Sequence, residues 1–169
     1  MLLSRLSTEV PQFLLRSSTP CPAPRIVCTQ PRRVAAQSLA TRVSAEAGCQ
    51  LGGLVGYTVR FDDRTSKQTR LKYATDGALL AEMLGDRDLD AYDVIILDEA
   101  HERSLRTDML MGFLKAMQRR RRSKVEEWEV LKGKGKAKLN DGDREPSLLK
   151  IVVMSATIDA KRFSDFFNQ

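Results

Sequence analysis

The sequence predicts an α/β fold with a mostly parallel sheet and helices on both faces. Two patterns indicate this class. Short apolar runs of strand length alternate with longer stretches in which apolar residues recur every three or four positions. The run Val94-Ile95-Ile96-Leu97 is apolar throughout, as expected of a strand inside a parallel sheet. At 169 residues the chain has about the length of one domain.

The first half of the chain is predicted to form three strands and two helices. After a proline-rich loop, the strands are expected at residues 25–29, 54–61 and 70–75. In the second strand one face would carry Val55, Tyr57, Val59 and Phe61. One helix is expected from Pro31 to Ala47, with Gly48 as its stop, and the other is expected to be capped by Asp76.

The second half predicts strands at residues 93–97 and 151–154 and helices at 103–118 and 160–167. Residues 118–147 interrupt this alternation with charged, glycine and turn residues. We expect a solvated, unstructured insertion there. A basic loop that contacts RNA through phosphate attraction is the alternative.

Charge and composition exclude several function classes. The net charge is +6, from 28 basic and 22 acidic residues. Ten of the basic but only six of the acidic residues lie between Gln118 and Pro146, so most of the excess charge belongs to one segment. The net charge of the whole chain is therefore weak evidence for a nucleic-acid partner. No apolar run is long enough to span a membrane. Three cysteines without paired spacing and a single histidine, His101, predict neither a disulfide framework nor a zinc cluster.

The strongest chemical signal is Asp98-Glu99-Ala100-His101, directly after the apolar strand. Ligands of open α/β sheets bind beyond the carboxyl ends of the strands. There, one acid can hold Mg²⁺ and the next can orient or deprotonate an attacking water. An acidic helix start would give the same pattern.

Three further segments lie at expected strand ends. They are Thr29-Gln30-Pro31-Arg32-Arg33, Thr75-Asp76-Gly77 and Ser155-Ala156-Thr157. A helix start with two arginines can bind phosphate oxygens. Each segment also reads as an ordinary helix start, so the signal lies in their order along the chain.

In that order the segments resemble the motifs of the DEAH-box RNA helicases, ATP-dependent enzymes of superfamily 2. The matching segments are TQPRRVAA (29–36), GYTVRFD (56–62), TDGALL (75–80), DVIILDEAHER (93–103) and VMSATI (153–158). The resemblance covers most of residues 7–169 except the insertion. It implies a RecA-like domain of the P-loop NTPase type, the first of two such domains in the family.

The resemblance also implies roles for single residues. Asp98 would help hold the Mg²⁺ of ATP, Glu99 would activate the hydrolytic water, and His101 would connect the nucleotide site to the rest of the motor. Ser155 and Thr157 would couple hydrolysis to domain movement.

RNA is the partner that the resemblance implies. Arg32, Arg33, Arg60 and Thr75 would contact the sugar-phosphate backbone without sequence preference. Ribonucleoprotein assembly or splicing factors would be further partners, and the location would be nuclear or nucleolar, otherwise cytoplasmic.

The sequence departs from the family at the phosphate-binding loop. A loop of the form G-x-x-x-x-G-K-S/T is expected before Thr29 and is not present in these 169 residues. The segment from Ser7 to Leu15 resembles the family's sequence directly after the loop lysine. Leu6 therefore stands at the lysine position, and Ser7 and Thr8 become the candidate nucleotide-binding residues.

We therefore expect residues 1–18 to be a degenerate remnant of the phosphate-loop helix and residues 19–169 to be a partial RecA-like domain, incomplete at its N-terminus. With no second RecA-like domain to supply arginines, the chain alone should not hydrolyse ATP. The alternatives are a non-catalytic RNA- or partner-binding remnant and a chain with no stable fold.

Overall fold

The computed structural model describes residues 5–17, 23–102, 104–139, 144–156, 161 and 165–167. The helices are α1 (Arg5–Arg16), α2 (Arg33–Glu46), α3 (Asp76–Gly85) and α4 (Leu105–Gly133), and a short 3-10 helix spans Ala100–Glu102. The strands are β1 (Ile26–Gln30), β2 (Val55–Val59), β3 (Asp62–Arg64), β4 (Leu71–Thr75), β5 (Val94–Leu97) and β6 (Lys150–Val153).

The six strands form one sheet in the order β3-β2-β4-β1-β5-β6. Every neighbouring pair is parallel except the β2–β3 hairpin, which is antiparallel. This arrangement confirms the predicted fold class. Because five strands run in the same direction, their carboxyl ends meet at one edge of the sheet, which we call the carboxyl edge.

Two apolar clusters cover the two faces of the sheet. Strand alternation sends Val94 and Ile96 to one face, with residues of α1 and α2, and sends Ile95 and Leu97 to the other, with residues of α3 and α4. β5 is therefore buried on both sides, as its unbroken apolar sequence predicts.

The hairpin after β2 corrects one expectation. Val55, Tyr57 and Val59 are buried as predicted, but Phe61 is 89% exposed. The chain reverses after Val59, and Phe61 adopts a left-handed conformation with φ +66°, which ends the strand alternation before Phe61. The next strand, β3, was not predicted.

The cap of α3 corrects a second expectation. The helix begins at Asp76, and its N-cap is Thr75, whose hydroxyl oxygen accepts a hydrogen bond from the Ala78 amide at 3.3 Å. The prediction that Asp76 caps the helix was wrong by one residue. At the far end of α2, Gly48 adopts φ +65°, which fits the predicted helix stop.

The expectation of an unstructured insertion is wrong for its first half, because α4 continues to Gly133. Arg121 is 2% exposed, and its guanidinium donates to the carbonyls of Leu89, Tyr92 and Ser147 and to the Ser147 hydroxyl. These bonds attach the helix to the loops before β5 and β6. No helix or strand is assigned to the described residues 134–139 and 144–149.

Several basic residues of the insertion are paired within the chain. Arg120 and Lys124 both bind Asp88, at 2.7 Å each. Lys132 pairs with Glu145, and Arg144 pairs with Asp93. These pairs favour a structural role for this part of the insertion over the alternative of an RNA-contacting loop.

Three of the predicted segments lie partly outside the described residues. This applies to most of the proline-rich loop before Ala23, to the tip of the insertion at 140–143 and to most of the helix predicted at 160–167. Within the described ranges, no helix combines the length and apolar character that crossing a membrane requires.

Candidate functional site

Asp98 comes directly after β5 at the carboxyl edge and is held at both carboxylate oxygens. The side-chain amide of Gln30, at the end of the adjacent strand β1, donates to Oδ2 at 2.6 Å. The backbone amide of Glu99 donates to Oδ1 at 2.9 Å. Asp98 is only 5% exposed, so these bonds compensate for the loss of water around its charge.

The residues after Asp98 leave the strand through a strained turn. Glu99 has φ +54°, a conformation that a residue with a side chain seldom adopts, and it is kept there by its neighbours. The amide of Ala100 donates to the Met154 carbonyl at 3.1 Å, and the Met154 amide donates to the Leu97 carbonyl at 2.8 Å. The ends of β5 and β6 are thus joined where the acidic pair begins.

His101 stands between the ends of the same two strands. Its Nδ1 lies 3.4 Å from Oε2 of Glu99 and 3.4 Å from the amide of Ala156. Nδ1 accepts from the amide only when it carries no proton, and it donates to Glu99 only when it does. The two contacts are therefore alternatives, and His101 can join the acidic pair or the segment after β6.

A buried polar cluster lies beneath the acidic pair, on the face covered by α1 and α2. It comprises Cys28, Gln30, Tyr73 and Asp98. Burial raises the pKa of the Cys28 thiol, and the charge of Asp98 raises it further. Burial likewise raises the pKa of Tyr73, and the negative charge of Asp98 adds to that increase. Both groups are therefore neutral at neutral pH.

The hydroxyl of Tyr73 brings α1 to this cluster by donating to the Ser7 carbonyl at 2.9 Å. Ser7 and Thr8, the two candidate nucleotide-binding residues, are both buried, and Ser7 lies beside Tyr73 of this cluster. The Thr8 hydroxyl donates to the Arg5 carbonyl at 3.0 Å, so it already serves the first turn of α1.

The candidate RNA-binding arginines 32 and 33 lie at the start of α2. Arg32 is the N-cap residue and makes no side-chain cap bond, whereas α3 and α4 are capped by hydroxyls of Thr75 and Ser104. The N-cap side chain thus leaves the first amides of α2 without a cap, and Arg33 beside them is exposed. Instead, Nη2 of Arg32 contacts Oε1 of Glu102 at 3.1 Å.

Arg60 lies at the tip of the β2–β3 hairpin, with its guanidinium carbon 4.7 Å from the centre of the Phe61 ring. The hairpin is held by Asp62, which accepts from Tyr57 at 2.8 Å and from Gln37 of α2 at 3.0 Å. The fourth RNA candidate, Thr75, ends β4 beside Gln30, and its hydroxyl oxygen serves as the α3 cap.

The two coupling candidates lie after β6. Ser155 comes directly after Met154, whose backbone is joined to both β5 and Ala100, so Ser155 is placed beside the acidic pair. Thr157 lies outside the described residues.

The donor set fits one part of a Mg²⁺–ATP complex. Mg²⁺ in nucleotide sites is held by one or two carboxylates, by phosphate oxygens and by waters, and Asp98 can supply the carboxylate. Within the described residues, no group of three His, Cys, Asp or Glu side chains could hold a metal ion by itself. The phosphate part does not fit in the same way, because α1 contains arginines at its two ends and no lysine.

Sequence reasoning missed several residues of the site. No site role was predicted for Gln30, Tyr73 or the exposed Phe61. Gln30 and Tyr73 reach Asp98 and α1 only through strand register, which the sequence does not display. Phe61 had a signal in the polar pair Asp62-Asp63 after it, which suits a turn.

Comparison with known proteins relates nearly the whole chain to helicases. No protein-family model matches it. It is 47% identical over 163 residues, 96% of the chain, to the Saccharomyces cerevisiae protein named "Probable ATP-dependent RNA helicase DHR2". It is 49% identical over 162 residues to the human "ATP-dependent RNA helicase DHX33" and 47% identical over 161 residues to the Caenorhabditis elegans "Probable ATP-dependent RNA helicase DHX35 homolog". The matched segments make up 96% and 95% of the chain, respectively.

The chain spans only about a fifth of the length of these relatives, 19% of the first and third and 20% of the second. The predicted resemblance to RNA helicases is nevertheless confirmed by identities of 47% to 49% over nearly the whole chain.

Proposed function

We propose that this chain, which belongs by sequence to the ATP-dependent RNA helicases, forms part of the ATP-hydrolysing domain of such an enzyme. The observation that supports this most strongly is the acidic pair at the carboxyl edge, with Asp98 buried and fixed by Gln30 and by the Glu99 amide. In open α/β sheets this edge is where ligands bind.

In this proposal the two acids have different roles because their surroundings differ. Asp98 is buried and held at both oxygens, which suits a ligand that keeps Mg²⁺ in place. Glu99 has a side chain that is 32% exposed, so it can reach a water molecule. Bound Mg²⁺ would neutralise phosphate charge, and Glu99 would orient that water and accept its proton. His101 and Ser155 would connect this pair to the end of β6.

The RNA part of the proposal rests on the carboxyl edge beside α2. Arg32, Arg33 and Arg60 bring three cations there, and the N-cap side chain of α2 does not cap the first amides. Amides at a helix start and guanidinium groups both bind phosphate oxygens. Phe61, exposed beside Arg60, offers a ring on which a base can stack. Such contacts read the RNA backbone and any base, without sequence preference.

We further propose that these 169 residues alone do not hydrolyse ATP, because the described residues near Asp98 offer no lysine for the phosphates. The whole enzyme would remodel RNA or ribonucleoprotein particles in the nucleus or nucleolus. Residues 1–18 would be the remnant of the phosphate-loop helix, with Ser7 and Thr8 closest to a nucleotide. A non-catalytic RNA- or partner-binding remnant is the second candidate, and the exposed arginines favour it.

Two properties of the isolated chain test these proposals, its binding of RNA and its hydrolysis of ATP. We expect the purified chain to bind a labelled oligouridine, with affinity that falls as salt rises, and to release no phosphate from Mg²⁺–ATP. Fluorescence anisotropy and a phosphate-release assay measure the two properties. Phosphate release that is lost in Glu99→Gln would contradict the inactivity of the isolated chain. RNA binding that is indifferent to salt and to Arg32→Met would contradict the proposed RNA contact.

A further inference from the structure

The contact between Arg32 and Glu102 joins two segments to which the proposed function gives different tasks. Arg32 lies just after β1 and is a candidate for RNA phosphate, whereas Glu102 ends the 3-10 helix that begins two residues after Asp98. Nη2 of Arg32 lies 3.1 Å from Oε1 of Glu102. The side chains are 62% and 33% exposed, so water and an incoming phosphate can reach the pair.

The Glu102 carboxylate occupies the kind of position that an RNA phosphate would take. Carboxylate and phosphate oxygens are alternative partners for the same guanidinium N–H groups. Arg32 is also the N-cap residue of α2, and its side chain makes no cap bond to the first amides. Within the described residues, Glu102 is the acidic group paired with Arg32.

We propose that Glu102 is a positioning residue that holds Arg32 in the RNA-free state and is displaced from it by an RNA phosphate. The inference deepens the proposed function and rests on its RNA contact. RNA binding would then release Glu102, and with it the end of the 3-10 helix that carries His101.

A second contact limits this change to the Arg32–Glu102 pair. Gln30 and Arg32 are separated only by Pro31, whose ring fixes the backbone, and Gln30 donates to Asp98. The buried Gln30–Asp98 bond keeps the acidic pair attached to β1, while the exposed Arg32–Glu102 contact two residues further on can exchange. Residues 30–32 are therefore joined to residues 98–102 by two contacts. The buried Gln30–Asp98 bond would stay in place, and the exposed Arg32–Glu102 pair would be replaced when RNA binds.

The test is RNA binding by the full chain, measured by anisotropy of a labelled oligouridine at low salt. Glu102→Gln removes the competing charge, and we expect affinity to rise about twofold to fivefold, the range that exposed ion pairs of this kind support. Glu102→Asp keeps the charge but shortens the side chain, and it should also raise affinity. Glu46→Gln is the matched control, because it removes the charge of the exposed Arg42–Glu46 pair at the other end of α2, while the new amide oxygen can still accept from Gln12, and it should change nothing.

A double-mutant cycle separates this exchange from a general effect of charge. Arg32→Met should weaken binding, and Glu102→Gln should have no effect when Arg32 is already methionine. A gain from Glu102→Gln that persists in the Arg32→Met background would overturn the exchange and leave the RNA contact intact, and so would no gain in either background. If Arg32→Met binds as tightly as the unaltered chain, the RNA contact of the proposed function fails, and the exchange fails with it. Circular dichroism confirms that each variant is folded.

Discussion

Asp98 owes its position to a residue on another strand. The carboxylate is almost fully buried, and its Oδ2 depends on the Gln30 amide. A buried acceptor that loses its donor costs about 1–3 kcal/mol, and more when it is charged. At the residue scale, Gln30 therefore matters both for the folded state and for the orientation of the acidic pair.

Replacing Gln30 by methionine keeps the volume and removes this donor. We expect Gln30→Met to lower the free energy of unfolding by about 1–3 kcal/mol in urea denaturation. The matched control is Gln37→Met, because Asp62 loses the Gln37 donor but retains Tyr57. A larger loss for Gln37→Met than for Gln30→Met would show that Asp98 does not depend on this bond.

At the scale of elements, a buried arginine anchors the second half of α4. Arg121 is buried, and it supplies donors to two carbonyls before β5 and to Ser147 before β6. Arginine, lysine and glutamate also have good helix propensity, so the charged sequence after Gln118 favours a helix once this anchor exists. The same composition without the anchor predicts a solvated segment.

Removing the anchor should therefore be costly. We expect Arg121→Met to lower the free energy of unfolding by about 3–5 kcal/mol, because several buried acceptors lose their donor together. The neighbouring change Arg122→Met, on the exposed side of the same turn, should stay within about 0.5 kcal/mol. Equal, small effects of the two substitutions in denaturant unfolding would disprove the anchoring role.

Asp93 fixes the loops at the start of β5. Its carboxylate accepts from the Arg25 amide at 2.8 Å and from Arg144 at 3.1 Å. Burial acts to raise the pKa of Asp93, but the bonds from the Arg25 amide and from the Arg144 side chain outweigh it, and the pKa is lowered. Asp93 thus adds stability above its unfolded pKa of about 3.9, and this stability is lost as the pH falls through the lower folded value.

The corresponding variant is Asp93→Asn. At neutral pH we expect it to be less stable than the unaltered chain by about 1–3 kcal/mol. Below about pH 4 the difference should shrink, because the aspartate of the unaltered chain takes up a proton. Unfolding curves recorded from pH 7 to pH 3 measure this, and a difference that is constant over the whole range would argue against the charged bonds.

The strands and helices show which elements the sequence can predict. Apolar runs such as Val94–Leu97 placed the strands to within one or two residues, because burial on both faces requires them. The turn at Arg60-Phe61 and the strand β3 were missed, because no glycine or asparagine marks the reversal and the Asp62-Asp63 pair is a weaker turn signal. The extension of α4 was missed because the bonds of Arg121 to distant loops appear only in the folded chain.

At the scale of the whole molecule, one edge of the sheet gathers the site residues of five parallel strands. The acidic pair was predictable, because two acids directly after a buried strand must lie at the carboxyl edge. The residues that hold the pair in place were not predictable, because Gln30, Tyr73 and Ser7 are brought together by the register of β1 and β4 and by the packing of α1. The division at residue 18 and the roles of the site residues stay predictions.

In the proposed function, Asp98 and Glu99 perform the chemistry of an RNA-dependent ATPase. The most direct measurement replaces the aligned segment of the yeast relative DHR2 by this chain and monitors phosphate release with RNA present. We predict that the hybrid hydrolyses ATP, that Glu99→Gln lowers the rate at least about 100-fold, and that Glu46→Gln leaves it unchanged. A hybrid that hydrolyses ATP equally well with Glu99→Gln, or a folded hybrid with no activity, would show that Asp98 and Glu99 do not have these roles.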